Sequence, residues 1–417
     1  MGDGSEMSEH DRPEVDRREF LQAGALATAT TVAALAAGST ASAQDAKTTL
    51  PTRKLGKTGV DVTILNVGTG AWRSLGGAAD RLLRAAYANG VRYIDTALAY
   101  RTEPDVAKFF KAMPEARKEC FVVTKDTPKR PSDLIGMLDK RLATLEMDSV
   151  DLFFFHGLGD QHGVDECLEI LKSKEFRDTA DAIRKSGKAK FFGFSVHHPA
   201  KAQMIQLAAE MNVVDAIMVA YTPWATPDHP INKALDAAHA KGIGLISMKQ
   251  LAGPNQQKFL DEVVNHVPSL RYKGLTPYQM LLHAIWTDER ISSCCVSMKT
   301  TAQVTENAAA ARNFVPLKAA EMREMHNLFL ASAPTLCANC DGRCAVAGGT
   351  DAALGDMARF LTYHEQHGER GEARRLYGDL SESARDWKGA DLAAAQAACP
   401  SHLDFSEILP RAERYLA

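Results

Sequence analysis

Short apolar runs alternate with longer stretches of helical period through most of this chain. The runs are Ile64 to Val67, Arg92 to Thr96, Phe121 to Lys125, Val150 to His156, Lys190 to Val196, Ala216 to Tyr221, Ile243 to Met248 and Ser292 to Ser297. Several are almost continuously hydrophobic, as strands covered on both faces are. Between them, AADRLLRAAYANG and PSDLIGMLDKRLATLEM repeat apolar residues at helical spacing. Eight such units predict an α/β fold, a (β/α)8 TIM barrel with function on the loops after the strands. An open doubly wound sheet would need a glycine-rich turn after its first strand. Gly157, Gly159 and Gly163 have the wrong spacing and read as a loop.

The pattern changes after about residue 315. Lys318 to Ser332, Ala353 to Gln366, Gly371 to Tyr377 and Ala390 to Ala398 read as helices, and the cysteine-rich turn LCANCDGRCAVAGG lies between the first two. The domain reading is therefore a barrel over 51–315 and a smaller helical module over 316–417. Ahead of both, Arg17-Arg18-Glu19-Phe20-Leu21 leads into a weakly apolar Ala/Thr stretch and then Ala41-Ser42-Ala43. This is the pattern of a signal peptide over 1–43, with paired arginines of the twin-arginine type. It implies export, to a periplasm, by the twin-arginine machinery. No segment of the mature chain is long and apolar enough to span a membrane. Charge adds little: a net charge of −3 without a Lys/Arg block gives no sign of a nucleic-acid partner.

The ends of three successive strands carry the chemistry. Asp95, Tyr100, Lys125 and His156 lie where VRYIDTALAY, FVVTKD and DLFFFHG give way to loops. A free phenol titrates near about pH 10. An ammonium beside Tyr100 is expected to lower that value. Asp95 would hold Lys125 charged, and His156 would orient a carbonyl or share the proton.

These motifs, with the opening RKLGKTGVDVTILNVGTG, resemble those of the aldo-keto reductase superfamily over about residues 51 to 315. The resemblance implies NADP or NAD lying across the barrel mouth and a small carbonyl or alcohol as substrate. It assigns Tyr221 to stacking on the nicotinamide and Ser195 to its carboxamide. Val196 and Met218 stand where two further carboxamide contacts are usual, and His197-His198 is a candidate replacement for one. Lys249 is placed toward the pyrophosphate. Glu306 and Asn307 match the adenine-binding pair, and Gln303 stands where an NADP-selecting arginine is usual, with Lys299 as a compensating cation. Trp72 and Trp224 either shape the pocket or pack.

Of eight cysteines, Cys120, Cys167, Cys294 and Cys295 read as buried small hydrophobes, with Cys294 and Cys295 facing opposite sides of a strand. Cys337, Cys340, Cys344 and the Cys399-Pro400 pair differ. In two-cluster ferredoxins the cysteine before proline serves the other cluster, so these four are one complete ligand set for a [4Fe-4S] cluster. A branch of the aldo-keto reductase relatives carries such a module, and this tail resembles it. Zinc, disulfides or no metal are the alternatives. The expected function is an exported nicotinamide-dependent oxidoreductase carrying one iron-sulfur cluster that is either structural or a contact for a redox partner. The alternative is a non-catalytic or electron-transfer protein that keeps the barrel as a scaffold.

Overall fold

The computed structural model describes residues 49–72, 75, 78–160, 162–198, 200–223, 230–250, 274–323, 337, 342–365, 370–399 and 402–417. The signal-peptide reading, Trp224 and Cys340 lie outside them.

Eight parallel strands close into a barrel in the order β10-β3-β4-β5-β6-β7-β8-β9. They are β3 (Leu65–Gly68), β4 (Tyr93–Asp95), β5 (Phe121–Asp126), β6 (Val150–Phe155), β7 (Ala189–Val196), β8 (Ala216–Ala220), β9 (Gly244–Met248) and β10 (Ile291–Val296). Each strand carries two buried faces. Tyr93, Val123, Phe154, Met218 and Ile246 fill the inside of the ring. Val67, Ile94, Val122, Phe153 and Val219 point outward, against helices that include Ala78–Ala88 and Asp133–Leu145. That double burial is why the strands read as unbroken apolar runs.

A short antiparallel hairpin, β1 (Thr52–Lys54) and β2 (Asp61–Thr63), precedes the barrel. Its Leu55 and Val62 join the inner cluster, so the hairpin seals the end of the ring opposite the active loops. The seal is tight at Gly56, where φ is +51° and a Cβ would lie 2.2 Å from the Gly242 carbonyl oxygen. Only glycine fits there.

The tail has its own core. Leu354, Met357 and Leu361 of the helix Leu354–Glu365 pack with Phe405, Ile408 and Leu409 of the helix Phe405–Leu416. The helices Arg370–Gly378 and Leu392–Ala398 match the expected segments closely. The last helix was not expected from the sequence, because Pro410 reads as a breaker; Asp404 caps its start, accepting from Ser406 N and Glu407 N. Among the described residues no helix is long and apolar enough to cross a membrane.

Candidate active site at the barrel mouth

The alternation of side chains along each strand decides what reaches the site. Asp95 ends β4 and Lys125 is the penultimate residue of β5, both on inward positions. Their neighbours Ile94 and Thr124 take the other face. Lys125 Nζ donates to Asp95 Oδ1 at 2.5 Å and to the Thr96 carbonyl at 3.0 Å, and both side chains are essentially sealed from solvent. A one-turn 3-10 segment, Leu98–Tyr100, follows β4 and swings the Tyr100 ring back over the lysine. Lys125 Nζ lies 4.9 Å from the centre of that ring. From the loop after β6, His156 Nε2 lies 3.4 Å from the Tyr100 hydroxyl, with the two rings edge to face. All four expected catalytic side chains therefore meet at one place.

Their electrostatics differ in one respect from expectation. Burial alone would lower the Lys125 pKa, but Asp95, with Tyr100 and Cys295, outweighs it and holds the ammonium above its ordinary range. Burial drives the His156 imidazole down to about 3, with Lys125 adding to the effect, so the ring is neutral near pH 7. The Tyr100 phenol was expected to titrate low. It is instead raised, because burial outweighs the lowering by Lys125. The phenol is thus held in its protonated, proton-donating form, poised beside a fixed cation that would stabilise the phenolate once the proton leaves.

The expected nicotinamide contacts fare unevenly. Tyr221 packs among the outward residues between strands and helices, and its hydroxyl donates to Asp288 Oδ2 at 2.6 Å. Its side chain is turned away from the inside of the ring. β8 ends at Ala220, and the next side chain along falls on the outer face. Ser195 is inward but buried, and its Oγ accepts from Gly157 N at 2.9 Å, pinning the loop after His156. That loop turns tightly and sets the Asp160 carboxylate against Gly157. There Asp160 Oδ2 pairs with His197 Nε2 at 3.1 Å. Asp160 went unnoticed in the sequence, where its loop showed only glycines. Lys249 follows β9 with a left-handed backbone, φ +52°. Burial lowers its pKa, while Asp160 acts in the opposite direction. Trp72 packs, donating its indole N–H to the Met298 carbonyl at 2.8 Å.

The residues expected at the adenosine end fall together. Gln303, Glu306 and Asn307 line one cavity of about 160 Å³ with Gln250, Tyr278 and Met298. Thr300 caps the helix Thr301–Arg312 beside it, and Gln303 Oε1 accepts from Lys299 N at 2.7 Å. A helix start next to a cavity suits a phosphate. Lys299 is not among the cavity's lining residues.

In the tail, Cys337, Cys344 and Cys399 are buried within one apolar core. Among the described residues no three His, Cys, Asp or Glu side chains stand close enough to hold a metal ion. Cys120, Cys167 and Cys294 are buried as expected, in no disulfide, with Cys294 in the outer core and Cys295 against the inner one.

Comparison with known proteins places this geometry. The sequence profile of the Aldo/keto reductase family matches residues 66–329. Among individual proteins, the chain is 25% identical over 267 residues to Aldo-keto reductase family 1 member A1 of Pongo abelii, covering 58% of this chain and 79% of that protein. It is 24% identical over 315 residues to L-glyceraldehyde 3-phosphate reductase of Escherichia coli O157:H7, covering 63% and 87%. Among solved structures, aldo-keto reductase AKR11C1 from Bacillus halodurans superposes with a TM-score of 0.53 at 18% identity, covering 67% of this chain and 96% of that one. At that identity the likeness is one of fold.

Proposed function

We propose that this chain, which belongs to the aldo/keto reductase family, reduces a small carbonyl compound to an alcohol at the expense of NADPH or NADH, with Tyr100 as proton donor. The observation that carries the reading is the Asp95–Lys125 pair sealed beneath a protonated Tyr100, with neutral His156 at the phenol oxygen. The nicotinamide, when bound, supplies the hydride. The protein's own part is acid catalysis. His156 orients the carbonyl oxygen toward the Tyr100 hydroxyl, the phenol gives up its proton, and Lys125 stabilises the phenolate that remains. Alcohol oxidation runs through the same groups in reverse. Gln303, Glu306 and Asn307 fit the adenosine end of the cofactor, and their shared cavity supports that assignment. Lys299 and Lys249 are left to the phosphates.

The scaffold alternative keeps one argument: Tyr221 faces outward onto Asp288, Met218 has no polar group, and Ser195 is buried, its Oγ accepting from Gly157 N. A fluorescence titration with NADPH and with NADH decides between the two. Binding of either supports the reductase, and binding of neither supports the scaffold.

The module over 316–417 is assigned one [4Fe-4S] cluster on Cys337, Cys340, Cys344 and Cys399, with zinc as the alternative. Four thiolates are a soft donor set suited to either. Three of them lie in the tail's own buried core, where Gly355 leaves room for the Cys337 sulfur, which supports a shared role. A cluster passes single electrons, so it serves as a structural centre or as a contact for a redox partner. Iron, sulfide and zinc analysis of anaerobically purified protein tests this. A protein free of all three removes the assignment. Export through the twin-arginine route is likewise proposed from residues 1–43, and a mature N-terminus at Gln44 in the exported protein is its test.

A further inference from the structure

Three polar atoms inside the barrel are buried without a protein partner: Asn66 Oδ1, the Tyr93 hydroxyl and Asp95 Oδ2. The sheet register makes them neighbours. Gly68 pairs with Asp95 across β3 and β4, so the inward position one step down each strand sets Asn66 beside Tyr93. Tyr93 and Asp95 are two residues apart and share a face. From the other side, Cys295 pairs with Asn66. With strands about 4.8 Å apart and same-face residues about 6.7 Å apart, these side chains leave one small patch of the inner wall. The patch lies directly below the Lys125–Asp95 pair.

Their hydrogen-bonding capacities do not close among themselves. The Asn66 amide nitrogen already donates to Ser293 Oγ at 2.8 Å, and Asp95 Oδ1 is taken by Lys125. Two acceptors, Asn66 Oδ1 and Asp95 Oδ2, face one hydroxyl proton and, on the Asp95 side, the weak S–H donor of Cys295. If Tyr93 serves Asp95, Asn66 Oδ1 stays bare; if it serves Asn66, Asp95 Oδ2 is left to the weak thiol donor alone, and a bare buried acceptor costs about 1–3 kcal/mol. A water molecule resolves all three at once. It donates to both acceptors and accepts from the phenol.

We propose that Asn66, Tyr93 and Asp95 hold one buried water beneath the Lys125–Asp95 pair, and that Tyr93 is through it a positioning residue for Asp95. Cys295 walls the site on the β10 side. Its sulfur lies 2.7 Å from where a Gly68 Cβ would stand, so the missing side chain at Gly68 is what admits the thiol. The Tyr93 phenol is pushed well above its ordinary pKa by burial, so its proton is always available to the water. The catalytic consequence rests on the reading that the pair serves Tyr100; the water site does not.

The test has two arms on the full chain. A crystal structure that resolves ordered solvent is expected to show one water within hydrogen-bond distance of all three atoms. A Tyr93 hydroxyl bonded straight to Asp95 with no water between them overturns the site. In solution, Tyr93→Phe removes the donor that orients the water toward ionised Asp95. The acidic limb of the kcat profile is expected to move to higher pH, with kcat at neutral pH down about tenfold and KM within about twofold. Tyr93→Phe protein that melts earlier but keeps both the wild-type limb and kcat overturns the positioning role. Wild-type protein inert toward every carbonyl with either nicotinamide would remove the reductase reading, while the crystal arm would still decide the water.

Discussion

Replacing Lys125 by methionine keeps the length of the side chain and removes its charge. The structure sets the size of the response. Lys125 and Asp95 meet at 2.5 Å with neither side chain reaching solvent, so the variant strands a buried carboxylate. Breaking such a pair from one side costs about 3–5 kcal/mol of stability. Activity is expected to fall separately, because the phenolate left on Tyr100 loses its cation. A positioned acid contributes about 10²- to 10⁴-fold, which is about 2.7–5.4 kcal/mol of barrier. The two losses are separated by adding Asp95→Leu. The double variant removes both charges, and a buried ion pair exchanged for apolar groups is close to neutral for folding. Denaturant unfolding is therefore expected to recover most of the lost stability in the double variant, while NADPH-dependent aldehyde reduction stays at the single-variant level. A Lys125→Met enzyme with kcat within tenfold of wild type would refute the electrostatic argument. So would a double variant no more stable than the single one.

Other expectations follow from particular contacts. His156 titrates at about 3 in the folded chain, below its usual value, so between the two the folded protein binds fewer protons than the unfolded one. Stability is then present above the ordinary histidine range and falls as pH drops toward 3; His156→Gln is expected to flatten that slope in denaturant midpoints measured across about pH 4 to 7. Gly56→Ala places a methyl on the Gly242 carbonyl at a left-handed backbone position, and a loss of about 2 kcal/mol or more is expected in the same unfolding assay. Asn307→Ala opens the cavity proposed for the adenosine and is expected to weaken nicotinamide cofactor binding about tenfold by fluorescence titration, leaving the pH profile of kcat in place.

The strands were legible because burial on two faces writes them as unbroken apolar text. Val150 to His156 overran β6 by one residue, and Ala216 to Tyr221 overran β8 by one. That single residue matters for Tyr221. Side chains alternate at every step, so the family match that set it against a nicotinamide gave way to an outward position and a bond to Asp288. The quartet of Asp95, Tyr100, Lys125 and His156 was legible because its members sit at or just beyond the ends of three apolar runs, Asp95 and Tyr100 sharing one. The sign of the Tyr100 shift was not, since it depends on how much solvent the ring loses, a quantity set by residues distant in the chain. The hairpin β1–β2 was hidden by its three-residue strands, and the final helix by Pro410. Asn66, Tyr93 and Cys295 left a trace only in hindsight of the register: they are the inward positions one step below the catalytic layer.

The most direct measurement is steady-state reduction of a panel of small aldehydes by wild-type protein and by Tyr100→Phe, with NADPH and with NADH. The phenylalanine variant keeps the ring and the packing, and only the proton donor is lost. The account predicts turnover by the wild type and a kcat lower by about 10² or more in the variant, with cofactor affinity unchanged. Equal turnover by the two proteins would contradict it.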